Sequence, residues 1–231
     1  MKDPARISSL MAELTEAWQA QPDLDFPQLW ALVQGRGIGW GSSDDEVRDA
    51  LRFLKRTYPG RVSTATTRLI VIECESPDVV VSLDGTERRV TVRRPQTELK
   101  PTSWVYREIK RAEVGYPLIL VDEEGLDHRL GVVKTLRVSK RPRLNHLSGR
   151  ARADMGDDIV GVVLDNGFAL VGHAIDFYEV ERREVHHHCY AFNRLVNLQV
   201  GSPFEFTTDS QRTNVSLGKV IKVFVVDSGD Q

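Results

Sequence analysis

The hydrophobic period of this chain changes once, near residue 60, and that change sets the class of fold open to it. Before it, Ile7, Leu10, Met11, Leu14 and Trp18 recur at i, i+3, i+4, i+7 and i+11, one stripe of an amphipathic helix. Gln21-Pro22-Asp23 ends this helix. Asp25 can cap a second, with Pro27 tolerated in its first turn and Leu29, Trp30 and Val33 inside it. Ser43-Asp44-Asp45-Glu46 has the pattern of a capping box, and Val47, Ala50, Leu51, Leu54 and Tyr58 form a third stripe, closed by Pro59-Gly60. After residue 62 short β-branched runs take over: 69–74, 79–83, 89–93, 118–121, 129–138, 159–164, 168–178, 184–191, 194–200, 203–207 and 219–226. Turn signals fall at Asp84-Gly85, at Asp122–Gly125 and at Asn166-Gly167, the strongest of the three. Residues 102–113 (TSWVYREIKRAE) place Trp104, Ile109 and Ala112 on one side and are expected to form a short helix. The expected fold is α+β. A three-helix module at 1–60 precedes a mainly antiparallel β region at 61–231, built as one or two small SH3/Sm-like barrels with a subdivision near 140–155.

Composition narrows the function classes. The chain has 231 residues and 41% hydrophobic residues, enough to bury cores without covalent staples. Cys74 and Cys189 stand far apart with no CxxC partner, which fits a reducing cytosol and neither a disulfide framework nor a zinc ribbon. The start, MKDPARISSLM, lacks the apolar core of a signal peptide, and no run of about 18 apolar residues occurs to cross a membrane. A cytoplasmic location is the expectation.

The formal net charge of −2 hides a strong segregation. Residues 86–152 hold 16 basic and 8 acidic residues, whereas 153–231 hold 6 basic and 12 acidic. From Arg137 to Arg152 there are six cations (Arg137, Lys140, Arg141, Arg143, Arg150, Arg152) and no acid. Such a field suits a polyanion or an acidic protein surface. With Lys110 and Arg111 extending the track, and Trp104 and Tyr106 beside them for base stacking, nucleic acid, as RNA or non-specific DNA, is the leading expected ligand. The bland alternative is a solvated loop that balances the acidic last third. A protein-interaction or assembly role, including self-association, is the second expectation.

Two segments resemble known families. Arg6–Leu10, Ala17-Trp18, Pro22-Asp23-Leu24, Gln28-Leu29 and Asp44-Asp45-Glu46 with the Leu51–Leu54 stripe resemble the small helical YihD-type proteins of bacteria, a resemblance over residues 6–56 that implies a module but no established chemistry. Val163-Leu164-Asp165-Asn166-Gly167, continuing to Gly172 and Phe177, resembles a hairpin signature of Sm-like and Hfq-like proteins. That resemblance implies a bent barrel with Asn166-Gly167 at its turn, Gly172 easing strand curvature and RNA as ligand. It departs from the family around Tyr190–Val196, where an Hfq-like histidine is absent, and in the long insertion at 179–188.

Catalytic patterns are missing: no HExxH, GxSxG or Ser-His-Asp set can be named, and no cofactor is expected. His186-His187-His188-Cys189 invites a metal reading. On a strand, however, His186 and His188 share one face and His187 and Cys189 the other. A site would need His173 from the adjoining strand to join His186 and His188. The alternative is a strand of hydrogen-bonded or half-exposed imidazoles. The glycine run Gly35–Gly41 follows a helix and precedes Asp44, Asp45 and Glu46, whose charge repels phosphate, so it reads as a connector. The same three acids stand where a DNA-reading helix would meet base edges, which favours packing or partner docking for the third helix.

Overall fold

Helix formation follows the capping signals. In the computed structural model, which describes residues 3–95, 99–139, 147–182, 184–208 and 214–228, α1 is Ala5–Gln19, α2 Phe26–Gln34 and α3 Asp44–Thr57. Ser43 caps α3: its Oγ accepts from the Glu46 amide at 3.3 Å, and its own amide donates to Glu46 Oε2 at 2.6 Å. Asp25 starts α2, its amide donating to Gln28 Oε1 at 2.8 Å. The three helices enclose Ala17, Leu29, Val33, Ala50, Leu51 and Leu54, with Leu10, Leu14 and Trp30 packed at the margin. Lys55 of α3 reaches Glu13 and Glu16 of α1, and Arg6 of α1 reaches Asp44 of α3. These pairs align helices whose stability comes from the apolar contacts.

Six strands follow: β1 Leu69–Glu75, β2 Val79–Asp84, β3 Arg89–Arg93, β4 Thr102–Arg111, β5 Pro117–Asp122 and β6 Asp127–Ser139. They pair in chain order and close into a barrel. Alternate residues point inward, so Ile70, Ile72, Cys74, Val79, Val81, Leu83, Val90, Leu118, Leu120 and Leu136 fill one core. Gly131 of β6 sits at φ +109°, and a Cβ there would lie 2.8 Å from the Glu75 carbonyl oxygen. Only glycine allows the strand to pass so close to the β1–β2 turn.

The helix expected at 102–113 is instead β4. The reason is a bulge. Tyr106 and Ile109 both enter the barrel core, three residues apart, because the register slips between Tyr106↔Asp122 and Glu108↔Val121. A bulged strand thereby imitates helical spacing, while its Thr, Trp, Val, Tyr and Ile content suits a pleated sheet.

The remaining strands are β7 Ile159–Leu164, β8 Gly167–Val171, β9 Ile175–Glu181, β10 Glu184–Tyr190, β11 Phe192–Asn197, β12 Pro203–Thr208 and β13 Asn214–Asp227. They form one sheet in the order β10-β9-β8-β7-β13-β12-β11. Strands β10 and β11 lie at opposite ends of this order, yet Ala191 alone separates them in sequence. The sheet must therefore curl until its ends meet. Register shifts in β11, β12 and β13 permit the bend. Val160, Val162, Ala169 and Phe177 from one half share a core with Phe192, Leu195, Phe204 and Phe206 from the other, making a half-barrel.

Three local expectations change. The single strand expected at 168–178 is two, β8 and β9, joined by a tight turn in which the Gly172 amide donates to the Ala174 carbonyl at 2.9 Å. Gly172 thus serves a turn rather than curvature within a strand. Leu164 pairs with Gly167, so Asp165 and Asn166 form the preceding turn and Gly167 begins β8. The loop expected at 137–152 begins with Arg137 inside β6 and includes a 3₁₀ turn at Arg152–Asp154, while 140–146 lie outside the described residues.

The chain forms two compact units. One unit comprises Met1–Val92 with Ser103–Val138, the helices together with the barrel; the other comprises Arg93–Thr102 with Ser139–Gln231.

Candidate functional site

Of the eight cations expected to hold a polyanion, Lys110, Arg111 and Arg150 are engaged by neighbours in their own unit. Lys110 Nζ donates to both carboxylate oxygens of Asp127, at 2.6 and 2.8 Å. The Arg111 guanidinium lies 3.8 Å over the Tyr116 ring and 3.9 Å from Glu113. Arg150 Nη1 meets Asp158 Oδ2 at 3.1 Å, and its Nε donates to the Asp154 carbonyl at 2.9 Å. Arg137 is half-buried and engaged within the fold. Arg152 is exposed at the 3₁₀ turn. Lys140, Arg141 and Arg143 lie outside the described residues. Of the two aromatics expected to stack on bases, Tyr106 is withdrawn into the barrel and fully buried. Trp104 is half-buried with its ring centroid 4.9 Å from that of His128. Arg52 and Lys55 of α3 turn toward Glu13 of α1, so that helix packs.

The histidines are distributed. His186 and His188 share a face of β10, with His187 and Cys189 on the other, as the strand register dictates. His173 sits in the β8–β9 turn with its side chain 73% exposed, 3.9 Å from Asp157. Among the described residues no three His, Cys, Asp or Glu side chains converge to hold a metal ion, so His173, His186 and His188 are not brought together there. Each β10 imidazole instead has a carboxylate: His186 lies 3.6 Å from Glu184, His187 3.0 Å from Asp176 and His188 3.7 Å from Glu179. His187 also stacks on Tyr178 at 4.7 Å. Of the three, His187 is hydrogen-bonded, and the other two lie near their carboxylates without bonding them.

The two thiols differ sharply in environment. Burial pushes Cys74 up to about 12, while Cys189 is exposed and is raised by partial burial and then by the Asp176 carboxylate. A thiol reagent at neutral pH is therefore expected to modify one cysteine per native chain and two in denaturant. Two modified cysteines in the native protein would contradict the barrel core.

A cleft of about 600 Å³ opens in the first unit and is lined by Glu16, Lys55, Arg61, Glu113 and Tyr116 among others. Acids and bases alternate around it, and Lys55 is already bonded to Glu16 at 2.7 Å. The cleft presents no field of one sign.

A different surface is chemically uniform. At about 100° per residue, Ile7, Trp18 and Met11 of α1 fall within roughly 40° of one another. The half-circumference around them also carries Ser8, Thr15 and Gln19, and no charge. Arg6, Glu13 and Glu16 occupy the opposite arc. Ile7 is 54% exposed, Met11 51%, Trp18 37%, and Phe26 at the start of α2 43%. The Trp18 and Phe26 ring centroids are 5.5 Å apart, and those of Phe26 and Trp30 6.3 Å, continuing the face as an aromatic row. Two of its polar groups are satisfied internally: Trp18 Nε1 donates to the Leu24 carbonyl at 2.7 Å, and Thr15 Oγ1 to the Met11 carbonyl at 2.8 Å. In a chain with 28% charged residues, this face of α1 carries none, and Ser8, Thr15 and Gln19 are its polar members.

The sequence displayed this stripe but pointed to it as core. The stripe is wider than the groove offered by α2 and α3. Ala17, Leu10 and Leu14 fill the groove, and Ile7, Met11 and Trp18 are left outside it.

Comparison with protein-family models, with curated proteins and with solved structures finds no match. No helix among the described residues is long and apolar enough to cross a membrane.

Proposed function

We propose that this chain is a non-enzymatic interaction or assembly protein that docks a protein partner through the charge-free face of α1 and α2. The exposed row Ile7, Met11, Trp18 and Phe26 carries the reading. Large side chains left in water cost stability that a monomer gains nothing by giving up. Clustered and free of charge, they have the composition of an interface centre, where aromatic residues and Met concentrate and charges are depleted. Changing Ile7 and Met11 together to Lys is expected to abolish partner capture from the host cell while leaving the thermal midpoint within a few degrees, since both side chains are exposed. Equal capture of the same proteins by both forms would refute the reading.

A second reading keeps the nucleic-acid expectation, and with it the Sm-like one, on the acid-free run from Arg137 to Arg152 and on the exposed Arg152. It requires binding to heparin and to RNA at about 50 mM salt that weakens linearly in the logarithm of salt concentration. Changing Arg141, Arg143 and Arg152 to Gln should then reduce that slope by up to about 3. Negligible retention at low salt would refute it.

A further inference from the structure

We propose that the partner of the α1–α2 face is a second copy of this chain, paired across a two-fold axis perpendicular to α1; this rests on the docking reading above. Three observations carry it. First, the α1 face carries no charged side chain, and its Trp18 indole and Thr15 hydroxyl are spent internally. Its chemical complement is a surface equally free of charge, which a second copy supplies. Second, the face is asymmetric along its length in a self-complementary way. Ile7 and Met11 make one end aliphatic, and Trp18 and Phe26 make the other aromatic. A two-fold axis reverses one copy and lays each aliphatic end on the partner's aromatic end, where thioether–ring contacts are favourable. Third, the size is that of a reversible pair. With about 200 Å² to each such side chain, the four expose roughly 400 Å² per copy. Two copies would remove about 800 Å² from these residues alone, which with their flanks reaches the low end of specific interfaces. Association should therefore be concentration-dependent rather than obligate.

The test is the mass of the full chain by sedimentation equilibrium from about 5 to about 500 μM, a span that brackets a micromolar dissociation constant. The wild type is expected to rise from 26.1 kDa toward twice that value. The Ile7→Lys/Met11→Lys variant should stay at one chain mass throughout. Ser9→Lys, on the charged side of α1, should behave as wild type. Thermal melts of all three should coincide, showing that the double variant is folded. A wild type that remains one chain across the range overturns the proposal, as does a folded double variant that still doubles. Binding of an anilinonaphthalene dye then separates the two levels. A wild-type monomer that binds the dye, and loses it in the double variant, overturns the second copy but leaves the face open for another partner. A monomer that binds no dye overturns the docking reading as well.

Discussion

Replacing Phe206 with alanine is expected to destabilise the second unit by about 3–5 kcal/mol. Phe206 is fully buried in β12, with ring centroids of Phe204 and Tyr190 at 5.6 and 5.3 Å. Its ring stands where the two halves of the curled sheet share one core. Removing it leaves a cavity bounded by strands that are tied together by register and cannot collapse inward without breaking their ladder. Phe206→Leu keeps most of the volume and should cost less than half as much. Urea unfolding followed by circular dichroism would show the alanine variant at a lower midpoint with an unchanged slope. An unchanged midpoint would mean that the half-barrel does not close over this residue.

Gly167→Val should be comparably damaging, at about 3–5 kcal/mol, for a different reason. A Cβ at this position would lie 2.2 Å from the Tyr178 carbonyl oxygen and 3.1 Å from the Phe177 ring. The first obstacle is backbone, so relief requires β8 and β9 to part where Gly167 pairs with Glu179 and where the Val180 amide donates to the Asn166 carbonyl. Equal stability of Gly167→Val and wild type would refute the β8–β9 register.

These two residues show how much of the fold could be read from the chain. Asn166-Gly167 announced a hairpin, and a hairpin is there. The glycine, however, is required by a strand that arrives later in sequence, and no turn rule names that strand. The helical module was legible because its signals are local: Ser43 and Glu46 cap α3 three residues apart, and Leu51 and Leu54 repeat at helical spacing. Strand β4 was illegible because a bulge set Tyr106 and Ile109 at that same spacing. Small barrels were expected with the Sm-like hairpin resemblance, yet which sheet closes and which stays open depends on long-range pairing with no local trace.

The same distinction governs function. The basic run stood out in the linear charge count, but its partners lie across turns: Lys110 meets Asp127 seventeen residues on, and Arg150 meets Asp158 eight residues on. A charge count cannot see such neutralisation. Conversely, Ile7, Met11 and Trp18 were visible as a stripe, and periodicity alone assigns a stripe to the core. Their exposure became visible only once α2 and α3 were seen to cover the neighbouring arc.

Site-specific photocrosslinking in the host bears most directly on the claim that the charge-free face of α1 and α2 is the binding surface. A photoreactive residue in place of exposed Met11 should yield a discrete protein adduct. The same residue in place of Glu16, exposed on the charged arc of the same helix, should yield none. No adduct from position 11, or the same adduct from both positions, would contradict it.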